Sequence, residues 1–266
     1  MIHYCTLFDS YYLSRGLIMI NSLRRTAGDF HLYVFAFDDK SYDILTDLNI
    51  ENTTIISLEE FETPELLEVK EERSKAEYCW TSTPWIIKHV FDKYDVQNCT
   101  YIDADLKFYD DPSNLLSELE PGNTTLITEH RYSFLERIYE EKRAGRFCVQ
   151  FVYFNTLDES RTILDTWANQ CIDWCYNRYE DGKFGDQKYL DEWPVKYTGV
   201  HILNNEGGGL APWNIKKYRL WEEPETIYIK NKRTGNKYRL VFYHFQSLKL
   251  KDNETVDLGW HYINRN

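Results

Sequence analysis

Nowhere does the chain carry the run of roughly 18 apolar residues that a membrane-spanning helix requires. The absence predicts a protein without a transmembrane segment. A basic excess is lacking too. Asp and Glu number 43 against 31 Lys and Arg, for a formal net charge of -12. A nucleic-acid partner needs a positive surface for its phosphates, so that class is excluded. A small phosphorylated ligand is compatible with the charge where a metal ion offsets the carboxylates around it. Three catalytic signatures are also missing: the Gly-x-x-x-x-Gly-Lys phosphate loop, the Gly-x-Ser-x-Gly elbow and the His-Glu-x-x-His zinc helix.

Cysteine is sparse and scattered, at positions 5, 79, 99, 148, 171 and 175. Met1 to Phe8 reads as a strand, without the basic flank and cleavage pattern of a signal peptide. Together these predict free thiols and a cytoplasmic location. Cys171 and Cys175 lie four apart on an expected helix and could share a face. With no second pair to complete a metal site, buried inert thiols are the expected role.

What the 266 residues do contain is 42% hydrophobic and 28% charged, enough for a sizeable globular core. Aromatic residues reach 16%, with 21 Tyr and 8 Trp, which leans toward carbohydrate because flat rings stack on sugars. Strand and helix signals alternate early. Ile2–Phe8 is a buried-strand run, Leu13 to Arg25 has helical spacing, and Phe30 to Phe37 is a second strand. Ser41 to Leu48 is a helix and Thr53 to Leu58 a third strand. This order predicts an α/β fold with a mainly parallel sheet flanked by helices and ligand chemistry at the strand C-terminal ends.

Glu59 to Tyr78 is acidic and helix-prone, and Pro84 suits the start of a helix over Trp85 to Tyr94. Later strands are expected at 99–102, 126–128 and 147–155, with a long helix over Ser160 to Tyr179. Asn204 to Gly209 reads as a flexible turn. Ile227 to Lys232 and Tyr238 to Phe245, flanking Arg233-Thr234-Gly235-Asn236, read as a C-terminal β-hairpin. With no linker or repeat, one domain over 1–266 is expected.

The strongest local signal is the strand Cys99 to Ile102 running into Asp103-Ala104-Asp105. Carboxylates two apart on a strand point to one face, where they repel unless a cation sits between them. Mn²⁺ or Mg²⁺ prefers such oxygen ligands and binds diphosphates. The plain alternative is an acidic loop at a strand end.

His244 closes the apolar run Val241-Phe242-Tyr243 and needs a partner, either a metal or a hydrogen bond inside the core. Asp186, after Gly185 and before Gln187, could grip an acceptor hydroxyl or simply cap a helix. Trp213, following Gly207-Gly208-Gly209, could face a sugar or anchor a loop.

These pieces, in this order, resemble the GT-A nucleotide-sugar glycosyltransferases. The similarity is greatest to the retaining group of glycogenin and the bacterial lipopolysaccharide galactosyl- and glucosyltransferases. The resemblance implies a GT-A fold and a donor nucleotide, usually a UDP-sugar, near Thr6, Asp9 and Tyr12. It implies Asp103 at the ribose or the metal, Asp105 on the metal and His244 as the C-terminal metal-binding histidine. Asp186 and Gln187 would lie near the acceptor and the reacting face of the sugar, with a glycan or lipid-linked saccharide as acceptor. Departures from the pattern are visible. No Gly-Lys pair follows His244, and Lys188 stands where a second Asp usually follows Gln187. Lys75, Arg73, Lys249 and Lys251 are the candidates to grip the diphosphate. Peripheral membrane contact stays open, although no basic amphipathic tail marks it. Two rival classes remain: a non-catalytic nucleotide- or carbohydrate-binding module on the same scaffold, and a metal-dependent nucleotidyltransferase or pyrophosphohydrolase.

Overall fold

The computed structural model describes residues 1–133, 136–224, 226–250 and 255–257. Strands β1 (Ile2–Phe8), β2 (Phe30–Ala36) and β3 (Thr53–Ser57) alternate with helices α1 (Leu13–Thr26) and α2 (Asp39–Leu48). Then come short helices α3 (Leu58–Phe61) and α4 (Pro64–Lys70), the long α5 (Lys75–Lys93), and strands β4 (Asn98–Ile102) and β5 (Leu106–Phe108). Helix α6 (Ser113–Leu116), β6 (Thr125–Glu129) and β7 (Phe147–Asn155) precede α7 (Asp158–Asp173), the short α8 (Trp193–Lys196) and β8 (Val200–Ile202). A seven-stranded sheet in the order β3-β2-β1-β4-β7-β6-β8 forms the centre. Strands β3, β2, β1 and β4 run parallel, and β7 is antiparallel to both neighbours.

The sheet is covered on both faces, which is why its strands read as apolar runs. Side chains alternate along β1. Cys5 and Leu7 pack into a core with α5 and α7, through residues such as Ile86, Val90 and Trp167. Tyr4 and Phe8 join Ile20 and Leu23 of α1 in the opposite core. There α1 lies so close that a Cβ on Gly16 would meet the Phe8 ring at 2.5 Å.

The last quarter contributes smaller sheets. β10 (Tyr218–Glu223), β11 (Thr226–Asn231) and β12 (Lys237–Arg239) form an antiparallel unit. β13 (Phe242–His244) instead joins β5 and β9 (Gly208–Leu210). The expected hairpin is therefore present in β11 and β12, with Gly235 at φ +80° in its turn. Its second run does not continue to Phe245: it breaks at Leu240-Val241, and Phe242 to His244 crosses to another sheet.

Other boundaries differ for identifiable reasons. α5 starts at Lys75 rather than at Pro84, because Ser74 and Glu77 form a reciprocal capping box. Pro84 is accommodated inside it. α7 ends at Asp173, so Cys171 and Cys175 are not on one helix, although both are buried. The Asn204 to Gly209 segment is a turn only at Glu206-Gly207, because Gly208 and Gly209 enter β9. Among the described residues, no helix is long and apolar enough to cross a membrane.

Candidate active site

The two aspartates lie where the large sheet hands the chain to the small one. β4 ends at Ile102, and Asp103 to Asp105 form a turn before β5. The carboxylates thus converge through a turn, not through the strand pleat. The turn is pinned by Asp103 N–H donating to Gln150 O at 3.1 Å and by Phe245 N–H donating to Asp105 O at 2.9 Å. His244 closes β13 directly opposite Leu106. The imidazole is thereby delivered from 139 to 141 residues away in sequence to the two acids.

His244 Nε2 stands 3.0 Å from Asp105 Oδ1 and 3.7 Å from Asp103 Oδ2. The ligating atoms of all three residues lie within 4.8 Å of one another. His244 Nδ1 is 2.8 Å from Gln150 Oε1, and the Tyr101 hydroxyl donates to Asp103 Oδ1 at 2.8 Å. Burial and the facing Asp105 raise the Asp103 pKa. Burial opposes ionisation of Asp105 too, but the charge and hydrogen bond of His244 outweigh it, and that carboxyl is held below its usual range. His244 is buried, which opposes its charging, yet the two acids raise its pKa well above the ordinary value. Two carboxylates and one imidazole suit a hard divalent ion, whose charge two carboxylates balance. The residues present therefore fit Mn²⁺ or Mg²⁺.

The triad opens into a cavity of about 740 Å³, large enough for a nucleotide-sized ligand. Asp9, Tyr12, Lys75, Asp186, Gln187 and Trp213 all line it. Asp9 Oδ1 accepts from Tyr11 N–H and Tyr12 N–H at 3.1 Å each, which fixes the loop entering α1. Lys75 is exposed in the first turn of α5. Asp186 stands at the N-cap position of the 3-10 helix Gln187–Glu192 without a side-chain capping bond. The simple capping role is thus not the one it plays. Burial, and then the charge of Asp103, push its pKa up to about 8. Gln187 Nε2 donates to Ala144 O at 2.6 Å. Trp213 is only 5% exposed. It both anchors its loop, through Nε1 to His130 O at 2.8 Å, and packs edge-on against His244 with centroids 5.2 Å apart.

Several expected residues lie elsewhere. Thr6 is fully buried in β1, its hydroxyl has no partner among the described residues, and it does not line the cavity. The strand is covered on both faces there, so Thr6 is a core residue. Arg73 is also buried, donating to the Tyr176 hydroxyl and, at 3.0 Å, to Ile172 O. It is a structural tie rather than a phosphate grip. Lys249 is exposed in a short strand, away from the cavity lining, and Lys251 falls outside the described residues.

Sequence reasoning missed Trp80, Arg143, His130 and Gln246, which also line the cavity. Arg143 lies in a segment to which the sequence assigned no element, and its guanidinium sits 5.0 Å from the Phe184 ring centroid. Trp80 is a turn beyond Lys75 on α5, a signal available once the helix is started at Ser74 instead of Pro84. His130 and Gln246 have no motif around them. Each holds a buried side-chain atom without a partner among the described residues, Nδ1 and Oε1 respectively.

No protein-family model matches the sequence. The chain is 33% identical over 263 residues to YfnD of Bacillus subtilis, an uncharacterized protein, spanning 98% of this chain and 82% of YfnD. It is 27% identical to YfnF of the same organism, spanning 93% and 82%. Among solved structures, the galactosyltransferase LgtC bound to donor and acceptor sugar analogs superposes with a TM-score of 0.59 at 14% identity, covering 91% of this chain and 86% of LgtC. Mouse xyloside xylosyltransferase 1 superposes with a TM-score of 0.54 at 14% identity, covering 92% and 98%. The chain belongs to the family of YfnD, and its fold is the GT-A fold of the glycosyltransferases.

Proposed function

We propose that this protein is a metal-dependent glycosyltransferase of one domain, residues 1–266. It moves a sugar from a nucleoside-diphosphate sugar, UDP-linked by family preference, to a hydroxyl of a glycan or lipid-linked saccharide, with retention of configuration and in the cytoplasm. The observation that carries this reading is the meeting of Asp103, Asp105 and His244 at the floor of a nucleotide-sized cavity. A sequence-distant imidazole buried against two acids needs a reason, because such a cluster is costly without a cation. The scaffold neighbour LgtC is described as binding donor and acceptor sugar analogs.

In this reading Asp103, Asp105 and His244 would hold Mn²⁺ or Mg²⁺, which would supply positive charge to the departing nucleoside diphosphate. Asp9 and Tyr12 border the space for base and ribose. Lys75 places a positive charge on the diphosphate, and Arg143 offers a second across the cavity. Asp186 orients the acceptor hydroxyl, and Gln187, anchored on Ala144, borders the reacting face of the sugar. Trp213 supplies a rigid wall. The bond from the anomeric carbon to the diphosphate oxygen breaks, and the acceptor oxygen takes its place. The acceptor proton leaves with the diphosphate.

The test is incubation with a panel of nucleotide sugars and Mn²⁺, comparing the parent with Asp105→Ala. The parent should release nucleoside diphosphate and transfer or hydrolyse sugar. Asp105→Ala should lose that activity while keeping its far-UV and near-UV dichroism. Near-normal turnover by the folded variant rejects the metal role. Release of nucleoside monophosphate would assign a nucleotidyltransferase or pyrophosphohydrolase, and donor binding without any turnover a binding module.

A further inference from the structure

We propose that Gln150 is the positioning residue of this centre: it fixes which nitrogen of His244 is offered to the divalent cation. The inference rests on the metal reading above and adds to it a residue that no motif marks.

Hydrogen-bond direction selects the nitrogen. The Thr128 hydroxyl donates its single proton to Cys148 O, at 3.1 Å. Toward Gln150 it can therefore only accept, and Gln150 Nε2 lies 3.3 Å from it. That turns the amide NH₂ toward Thr128 and the amide oxygen toward His244 Nδ1, 2.8 Å away. An amide oxygen accepts and never donates, so Nδ1 must carry a hydrogen. Nδ1 keeps that hydrogen whether the ring is charged or neutral, so Nε2 is the nitrogen that would give up its proton and offer a lone pair to a cation. It is also the nitrogen that faces Asp105 and Asp103. Metal-bound histidines characteristically donate their other N–H in this way, which sets the tautomer and the ring plane.

The surroundings hold the chain in one state. Thr128 and Gln150 are both fully buried, on the paired strands β6 and β7, where no water competes for their bonds. The Trp213 ring stands at 83° to the imidazole and restricts its swing. The backbone has made room for the amide as well: a Cβ on Gly209 would come within 2.9 Å of Gln150 Nε2, and Gly209 sits at φ +106°. The glycines before Trp213 thus include one that is shaped around Gln150 instead of around a ligand.

The experiment is a Mn²⁺ titration followed by the paramagnetic resonance signal of the free ion, with unfolding in EDTA measured alongside. The parent is compared with Gln150→Leu and Gln150→Glu. Gln150→Leu removes the acceptor at similar volume and should weaken Mn²⁺ binding about 10- to 100-fold. Gln150→Glu keeps the acceptor and should bind Mn²⁺ at least as tightly as the parent. A leucine variant that is folded in EDTA and binds like the parent overturns the proposal. So does a glutamate variant weakened as much as the leucine variant, and this arm decides the matter if the leucine variant does not fold. If the parent itself binds no Mn²⁺, the cation reading has failed first and the role of Gln150 falls with it.

Discussion

Single residues show how tightly the site is built into the fold. Gly209 has no room for a methyl group beside Gln150 and holds a positive φ, a conformation that costs other residues about 1–3 kcal/mol. Gly209→Ala should lower the urea-unfolding free energy by about that much, and should also weaken Mn²⁺ binding because it pushes on the Gln150 amide. Unchanged stability would mean that the close approach is not real. His130 makes a separate prediction. Burial, opposed only in part by backbone carbonyls, lowers its pKa from 6.5 to about 3. Because the folded value is the lower one, the stability that neutral His130 contributes is complete above pH 6.5. It is lost as pH falls from 6.5 toward 3, since the unfolded chain takes up the proton first. His130→Gln should flatten the acid limb of the stability curve by up to about 1.4 kcal/mol per pH unit. Parallel curves for parent and variant, from unfolding at several pH values, would contradict this.

At the scale of elements, α5 forms one wall of the cavity and presents Lys75 and Trp80 to it. Its first turn depends on Ser74 and Glu77, with Ser74 N–H donating to Glu77 Oε2 at 2.8 Å. Ser74→Ala should cost about 1 kcal/mol, read as a lower midpoint in urea, and should raise the KM for donor more than it lowers kcat. The same element shows what the sequence made legible. The Ser-x-x-Glu box was present in the sequence, but Pro84 drew the expected start of the helix nine residues too late, from Lys75 to Pro84, because the N1 preference of proline is strong in isolation. β1, β2 and β7 were readable because each is a continuous apolar run buried on two faces. The break after Arg239 was not, since Leu240 to Tyr243 is an unbroken apolar run with no Gly or Pro to mark an end. Which sheet each half joins is decided by β5 and β9, both distant in sequence. The glycines of β9 looked like a turn for a related reason: their tight neighbours, Leu115 beside Gly208 and Gln150 beside Gly209, are supplied by other parts of the chain.

Across the whole molecule, the fold works by bringing one end of the chain back to the middle. The parallel half of the sheet carries Asp9 and Tyr12 to the cavity, its central strand carries the two aspartates, and the crossing of β13 adds the histidine. Asp103, Asp105 and His244 were recognisable from residue type and context. Thr6 was not separable from its cavity-lining neighbours, because burial on both faces of β1 depends on which helices pack there. Gln150 carried no local signal, since its meaning is the direction of bonds to Thr128 and His244.

The account depends on a cation joining this protein to a diphosphate, and UDP affinity measured calorimetrically with Mn²⁺ or with EDTA tests it most directly. We predict binding in Mn²⁺ that weakens at least tenfold in EDTA, and that is as weak in His244→Ala under either condition. Equal UDP affinity with and without the metal would contradict the account.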